Sequence, residues 1–201
     1  MIEFEIDKLA IRTFCEKMNQ LPFQTRKNVL KNSVNATARS ARKIITDRAK
    51  KAYTAKISNM NKAMTIKKAS NYNLEATITA KGKPLELKSF KVSPAKPPAT
   101  QKIGSTTKAK VYSSSPMKKL EYKGIKAFVA EFKSGHVSVA QRKTKKRLPI
   151  KVLYSTSIPR MVGNEEMVFN EIKDKIQVLF DNNVQINLKK VIERENRLKG
   201  K

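Results

Sequence analysis

The sequence predicts an α+β fold: an antiparallel sheet of about six strands, flanked by a long basic N-terminal helix and a C-terminal helix. Three observations carry that reading. Apolar residues recur at helical spacing to about residue 53, alternate with a period of two from residue 64, and return to helical spacing beyond Pro159. The alternating runs are separated by Gly82, Pro84, Gly124 and Gly135, the residue types that punctuate strands. A chain of 201 residues with 39% hydrophobic and 30% charged side chains has globular composition, and residues 1–201 read as a single domain.

Residues 1–20 are expected to hold a short helix from about residue 8, where Asp7 is a fair N-cap and Ile11, Phe14, Cys15 and Met18 follow at helical spacing. The long basic helix occupies 21–54. Pro22 suits its first turn, and Leu30, Val34, Ala38, Ala41, Ile45, Ala49 and Ala52 keep one face apolar. Its other faces carry Arg26, Lys31, Arg39, Arg42, Lys43 and Arg48 against one acid, Asp47. A strand-rich core follows over 64–156, with Lys67, Lys88, Lys91, Lys108, Lys110, Lys126 and Lys133 on the expected wet face. Inside it, 93–107 (SPAKPPATQKIGSTT) has three prolines and almost no core formers, the pattern of a mobile loop that orders against a partner. The C-terminal helical segment covers 164–199. Asn164 caps it, Glu165 and Glu166 suit the positive end of its dipole, and Val168, Ile172, Ile176 and Leu179 form a stripe. Asp181-Asn182-Asn183 is expected to break or kink it. A last run with Leu188, Val191 and Ile192 then packs on its own sheet or docks a neighbouring subunit.

Charge narrows the class of partner. Residues 20–163 carry 33 of the 44 Lys and Arg but five of the 16 Asp and Glu, so the net charge of +28 lies in the folded middle of the chain. Self-repulsion on that scale destabilises a compact state, and an acidic partner is expected to compensate it. The densest run, Arg142-Lys143-Thr144-Lys145-Lys146-Arg147, leads into Leu148-Pro149-Ile150. It reads as an exposed turn facing DNA or an acidic neighbour, with a solvated turn or a nuclear signal as blander alternatives. Leu148, Ile150 and Val152, or Leu153 on the opposite face, are expected to anchor the next strand in the core. Pro149 lacks a ladder donor, which puts that strand at a sheet edge open to another subunit.

Catalytic chemistry has little to work with. His136 is the only histidine and Cys15 the only cysteine, so a zinc site or an internal disulfide has too few ligands or partners, and His136 reads as a surface or half-buried residue. The five acids of the basic region are too scattered for a two-metal site, and no glycine-rich phosphate loop occurs. No enzyme activity, catalytic residue, cofactor or metal is expected. No apolar run approaches the roughly 18 residues of a membrane span. MIEFEIDKLA has acids where a signal peptide carries cations, so a soluble chain with no membrane partner is expected. With 6% aromatics and no Trp, no base-stacking platform is legible. Any DNA contact therefore goes to the phosphodiester backbone through counterion release. A free-standing, sequence-nonspecific nucleic-acid-binding protein is the alternative this charge allows.

Several motifs occur in a telling order. Asn35-Ala36-Thr37-Ala38 comes with Ala41-Arg42-Lys43, then Thr65-Ile66-Lys67-Lys68-Ala69, Leu74-Glu75-Ala76-Thr77-Ile78 and Gly82-Lys83-Pro84-Leu85-Glu86-Leu87-Lys88-Ser89-Phe90. Ala127-Phe128, Arg142, Arg147-Leu148-Pro149-Ile150, Tyr154, Ser157, Pro159 and Met161 follow. Together they resemble the minor tail protein Z family of tailed phages and prophages, over roughly residues 30–165. Members usually carry Gly-Pro where Ser155-Thr156 stand here.

The resemblance implies a structural protein at the head-proximal end of a phage tail or of a genome-free tail-like particle, in the virion and, during assembly, in the host cytoplasm. It would act as a tail-completion or neck component, a homo-oligomeric ring around the channel with a hexamer among the options. Its neighbours would be tail terminator, tube, sheath or connector proteins, and DNA in the channel through backbone contacts. On this reading Arg39, Arg42, Lys43, Arg142, Lys143, Lys145, Lys146 and Arg147 face DNA or an acidic partner. Leu148, Pro149, Ile150, Tyr154, Ile158 and Pro159 make the subunit contact.

Overall fold

The apolar seam from Leu30 onward forms one helix, α1, Phe23–Ala52. A computed structural model describes residues 18–19, 21–56, 58, 60–98 and 106–199; the helix expected over 8–20 lies outside them apart from the turn at Met18 and Asn19. Pro22 stands just ahead of α1, its carbonyl accepting from Arg26 N at 3.1 Å. The buried face is less aliphatic than the spacing implied, because Ser33, Thr37 and Thr46 are as buried as Leu30 and Ile45. Two of these hydroxyls are satisfied within the helix: Ser33 Oγ donates to Val29 O at 2.8 Å and Thr46 Oγ1 to Arg42 O at 2.9 Å.

The chain divides into two compact units, one gathering residues up to Asp47 with Asn61–Lys81 and Val162 onward, the other Arg48–Met60 with Gly82–Met161. In the first, β1 (Met64–Lys67) and β2 (Thr77–Ala80) pair antiparallel with Ile66 opposite Ile78. The C-terminal segment begins as expected. Asn164 Oδ1 accepts from Met167 N at 2.9 Å, with Glu165 and Glu166 in the first turn. The Asn164 carbonyl accepts from both Val168 N and Phe169 N, so Glu165–Phe169 is a single π turn before the regular helix Asn170–Lys199. The five-residue helix Ile158–Val162 precedes it and is α2, which makes Asn170–Lys199 α3.

The core of this unit joins Met18, Val29, Leu30, Val34, Ala69, Phe180 and Val184, with Leu188 and Val191 packed against it. Those two therefore face their own chain, whereas Ile192 is exposed. The break expected at Asp181-Asn182-Asn183 does not occur; α3 runs through it. Its asparagines are turned to use across the helix pair. Asn183 Nδ2 donates to Thr37 Oγ1 at 3.1 Å and Asn187 Nδ2 to Ser33 Oγ at 3.0 Å, so two of the three buried hydroxyls of α1 meet amides of α3. Asn35 clamps the loop after β1 by exchanging two bonds with the backbone of Ala69, at 2.8 and 3.2 Å.

In the second unit the single sheet of about six strands is replaced by short strands in three small antiparallel sheets. One has β10 (Ile150–Val152), β9 (Val137–Arg142), β8 (Ile125–Glu131) and β7 (Glu121–Tyr122) in that order. A second pairs β3 (Pro84–Glu86) with β11 (Tyr154–Ser157), and the third is β4 (Lys91–Ser93), β5 (Lys108–Lys110) and β6 (Lys118–Lys119). The physical reason is interruption. A 3₁₀ turn at Leu87–Ser89 divides the expected LELKSFKVS strand, and Leu153 hands the chain from one sheet to the next, its N–H donating to Val139 O and its carbonyl accepting from Leu87 N. The single wet face is lost with the single sheet. Ser138, Val139, Ala140 and Gln141 are all buried, so β9 is covered on both sides, and of the lysines expected on one face Lys91, Lys108 and Lys110 share a sheet, Lys67 and Lys126 stand in two others, and Lys88 and Lys133 lie in turns.

β10 is an edge strand, as Pro149 indicated. β11 aligns Tyr154 with Glu86 but Ser157 with Pro84, so Ser155-Thr156 carries one extra residue, a bulge. The β7–β8 turn needs two positive φ angles and has Lys123 at 51° and Gly124 at 72°. Among the described residues no helix is long and apolar enough to cross a membrane.

Candidate interaction surfaces

The cationic run is a loop closed at its base. Arg142 ends β9 opposite Ile150, and Lys143 N donates to Pro149 O at 2.9 Å. Lys143, Lys145, Lys146 and Arg147 are exposed beyond that bond, and the Arg142 guanidinium lies 6.0 Å from the Phe128 ring centre, a cation–π distance. Leu148 corrects the sequence reading: it is 66% exposed, since it precedes the first ladder pair and sits outside the strand it was expected to anchor. Ile150 and Val152 are half-buried, while Pro149 and Tyr154 are exposed. Ile158 is buried and Pro159 rests on Gly82, whose added Cβ would stand 3.5 Å from Pro159 Cδ. These last two serve packing within the unit, which leaves Leu148, Pro149 and Tyr154 as the presented apolar set.

In the first unit Arg39 and Lys43 are exposed on α1. Arg42 is half-buried and its Nη1 donates to Met64 O at 3.3 Å. With Asn61, Lys62 and Thr65 it lines an open depression of ≈ 530 Å³. Arg39, Arg42 and Lys43 thus lie in one unit and the loop cations in the other.

Two constellations were not legible beforehand. In the first, Ser138 Oγ donates to Glu86 Oε2 at 2.6 Å and His136 Nε2 lies 2.9 Å from the same oxygen. The Ser138 hydrogen bond, with smaller help from the bond and charge of His136, holds the Glu86 carboxyl below its ordinary 4.5 against an opposing effect of burial. Serine, histidine and glutamate meet here, but the serine is buried and both partners point at the carboxylate, so no base is placed on a nucleophile.

The second is the β4–β5–β6 sheet. Its register sets Lys91 directly opposite Lys110, Ser93 opposite Lys108, and Lys108 opposite Lys119, all on one face. Val92 and Ala109 occupy the other face, with Ala109 buried. Alternation in KVS and KAK was visible in the sequence; which lysines would oppose one another was not, because register is a property of the pairing. Beside this face Lys88 is held below the ordinary lysine value, chiefly by burial and then by the charge of Lys56.

Fold and surfaces together define a class: a strongly basic α+β chain with exposed cationic and apolar contact surfaces, in which no three His, Cys, Asp or Glu side chains of the described residues gather as a metal site. The family model described as Prophage minor tail protein Z (GPZ) matches residues 12–200. The chain belongs to that family and is a phage tail structural protein. No curated protein and no solved structure matches it.

Proposed function

We propose that the chain acts as a tail-completion or neck component at the head-proximal end of a phage tail or tail-like particle, as a homo-oligomeric ring around the channel. Family membership supports the tail role. The finer reading is supported above all by β10, a three-residue edge strand bracketed by exposed Leu148, Pro149 and Tyr154 and preceded by five cations within Arg142–Arg147. An open edge offers unpaired backbone groups to a strand of the next copy, and exposed apolar side chains beside it supply burial. Repetition of that contact would bring each cationic loop round to a common polyanion, either DNA in the channel or the acidic surface of a terminator, tube, sheath or connector protein.

The test is assembly. Leu148→Asp combined with Tyr154→Thr alters two exposed positions without setting a like charge opposite Glu86, so the monomer should keep its melting temperature while rings disappear in sedimentation and the chain drops out of purified particles. Rings of unchanged size from a folded double variant would overturn the edge contact. The rival, a free-standing nucleic-acid-binding protein, draws on the charge excess alone and requires a monomer that binds duplex tightly and particles that lack the chain.

A further inference from the structure

We infer that the lysine face of the β4–β5–β6 sheet is a second polyanion site and that its occupant is the phosphodiester backbone of duplex DNA. Like charges placed directly opposite one another on a sheet are destabilising, and this three-stranded sheet has two such pairs, Lys91 with Lys110 and Lys108 with Lys119. None of these four lysines forms an ion pair with an acid among the described residues. Antiparallel geometry spaces directly opposed side chains about 5 Å apart, and two residues along a strand span about 7 Å. The result is a compact array of point charges with no aromatic and no acidic side chain among its members.

The array is fixed rather than free to spread. Thr54 sits at its first like-charged pair: its hydroxyl donates to the Lys110 carbonyl and accepts from Lys91 N, and Thr54 N donates to Val111 O at 2.9 Å. Next to it Tyr53 bridges Tyr112, with ring centres 5.1 Å apart. Thr54 thus holds the backbones of the opposed pair together at the end of the ladder, so the repulsion is not relieved by the strands parting there.

The chemistry favours DNA over an acidic protein. Lysine is a compact, strongly hydrated point charge that needs no bidentate geometry, and four of them set close together with no acid beside them suit a partner of regularly repeated charge such as a duplex backbone. The face itself has no aromatic member, and the neighbouring Tyr112 ring is packed against Tyr53, so what the face reads is backbone charge rather than a stacked base. This deepens the proposed polyanion-facing role and rests on it for where in the particle the duplex is met.

The experiment measures anisotropy of a labelled 20-base-pair duplex against salt, using the full chain and a variant with Lys91, Lys108, Lys110 and Lys119 all changed to Gln. Each phosphate contact contributes about 0.9 to the slope of log affinity against log salt, so the slope should shrink by about 3 to 4. The melting temperature should rise, since repulsion is removed. Arginine at the same four positions should keep the slope. A control with exposed Lys67, Lys68, Lys81 and Lys83 changed to Gln should shift it by less than one. Equal losses in the control and the four-site variant, or an unchanged slope with loss of the chain from particles, would overturn the assignment, the latter pointing to an acidic protein. Repeating the titration in the Leu148→Asp, Tyr154→Thr background keeps the result readable should the ring contact itself fail.

Discussion

Replacing Asn183 by alanine should destabilise the protein by about 1–2 kcal/mol. The amide donates to Thr37 Oγ1 at 3.1 Å and to Leu179 O at 2.8 Å. As an α-helical carbonyl four residues back, Leu179 O keeps a backbone partner, so the bond lost outright is the one to Thr37, which is 3% exposed. A net hydrogen bond contributes about 1 kcal/mol, and an orphaned buried hydroxyl costs about 1–3. Alanine returns up to about 0.7 kcal/mol of helix propensity. Thr37→Val removes the acceptor and should cost about 1 kcal/mol alone. The double variant should cost about 1 kcal/mol less than the sum, because it leaves no stranded partner. Equilibrium urea unfolding followed by circular dichroism, with the slope m unchanged, reads all four corners of the cycle. If Asn183 instead strained α3, as an Asp-Asn-Asn cluster invites one to expect, alanine would stabilise. A stabilised single variant, or additivity within about 0.3 kcal/mol, would refute the cross-helix role.

Glu86 supplies a pH dependence of defined sign. Its folded pKa is depressed below 4.5, so its stabilising contribution is complete above that value and fades as pH falls through the folded one. Ser138→Ala removes the largest cause; it should shrink the difference between pH 6 and pH 3 melting temperatures and cost about 1–2 kcal/mol at neutral pH, seen by calorimetry at both pH values. Lys123 holds a φ of 51° in the β7–β8 turn, a region costing a side-chain-bearing residue about 1 kcal/mol. Lys123→Asn should recover most of that and raise the melting temperature by about 2–4 °C, whereas a fall would show that the turn is not strained there.

Periodicity was sufficient for both long helices because each buries a stripe through many turns, and a pattern repeated that often survives local exceptions. It did not show that α1 buries Ser33, Thr37 and Thr46, since a hydroxyl reads as surface until a partner is known, and the partners of Ser33 and Thr37 lie about 150 residues away in α3 while Thr46 meets Asn61 and its own helix. Leu148 failed for a related reason. Its position in the alternating run was read correctly, but the loop closes at Lys143 and Pro149, so the ladder starts after it. One sheet was expected where the described residues form four, because apart from β8 and β9 the strands have two to four residues and give too few alternations to show which of them pair. The cationic loop was legible as composition. The lysine face was not, because it exists only when Lys91, Lys110, Lys108 and Lys119 are brought into register.

Residues that carry the family pattern and residues that form the candidate surfaces do different physical work. Asn35 of the first motif clamps Ala69 of the second, Thr37 receives the amide of Asn183, Leu87 N donates to Leu153 O at 2.8 Å, and Gly82 accommodates Pro159. Each joins segments distant in sequence, and each is a pairing that a single substitution would leave half-made at a cost of about 1–3 kcal/mol. An opposed lysine pair, by contrast, weakens the fold by about 0.2–1 kcal/mol and can be lost with a gain in stability. Selection for folding alone would retain the clamps and discard Lys91 and Lys110. The latter pair, held in place by Thr54, therefore points outward to a requirement that the isolated chain does not have.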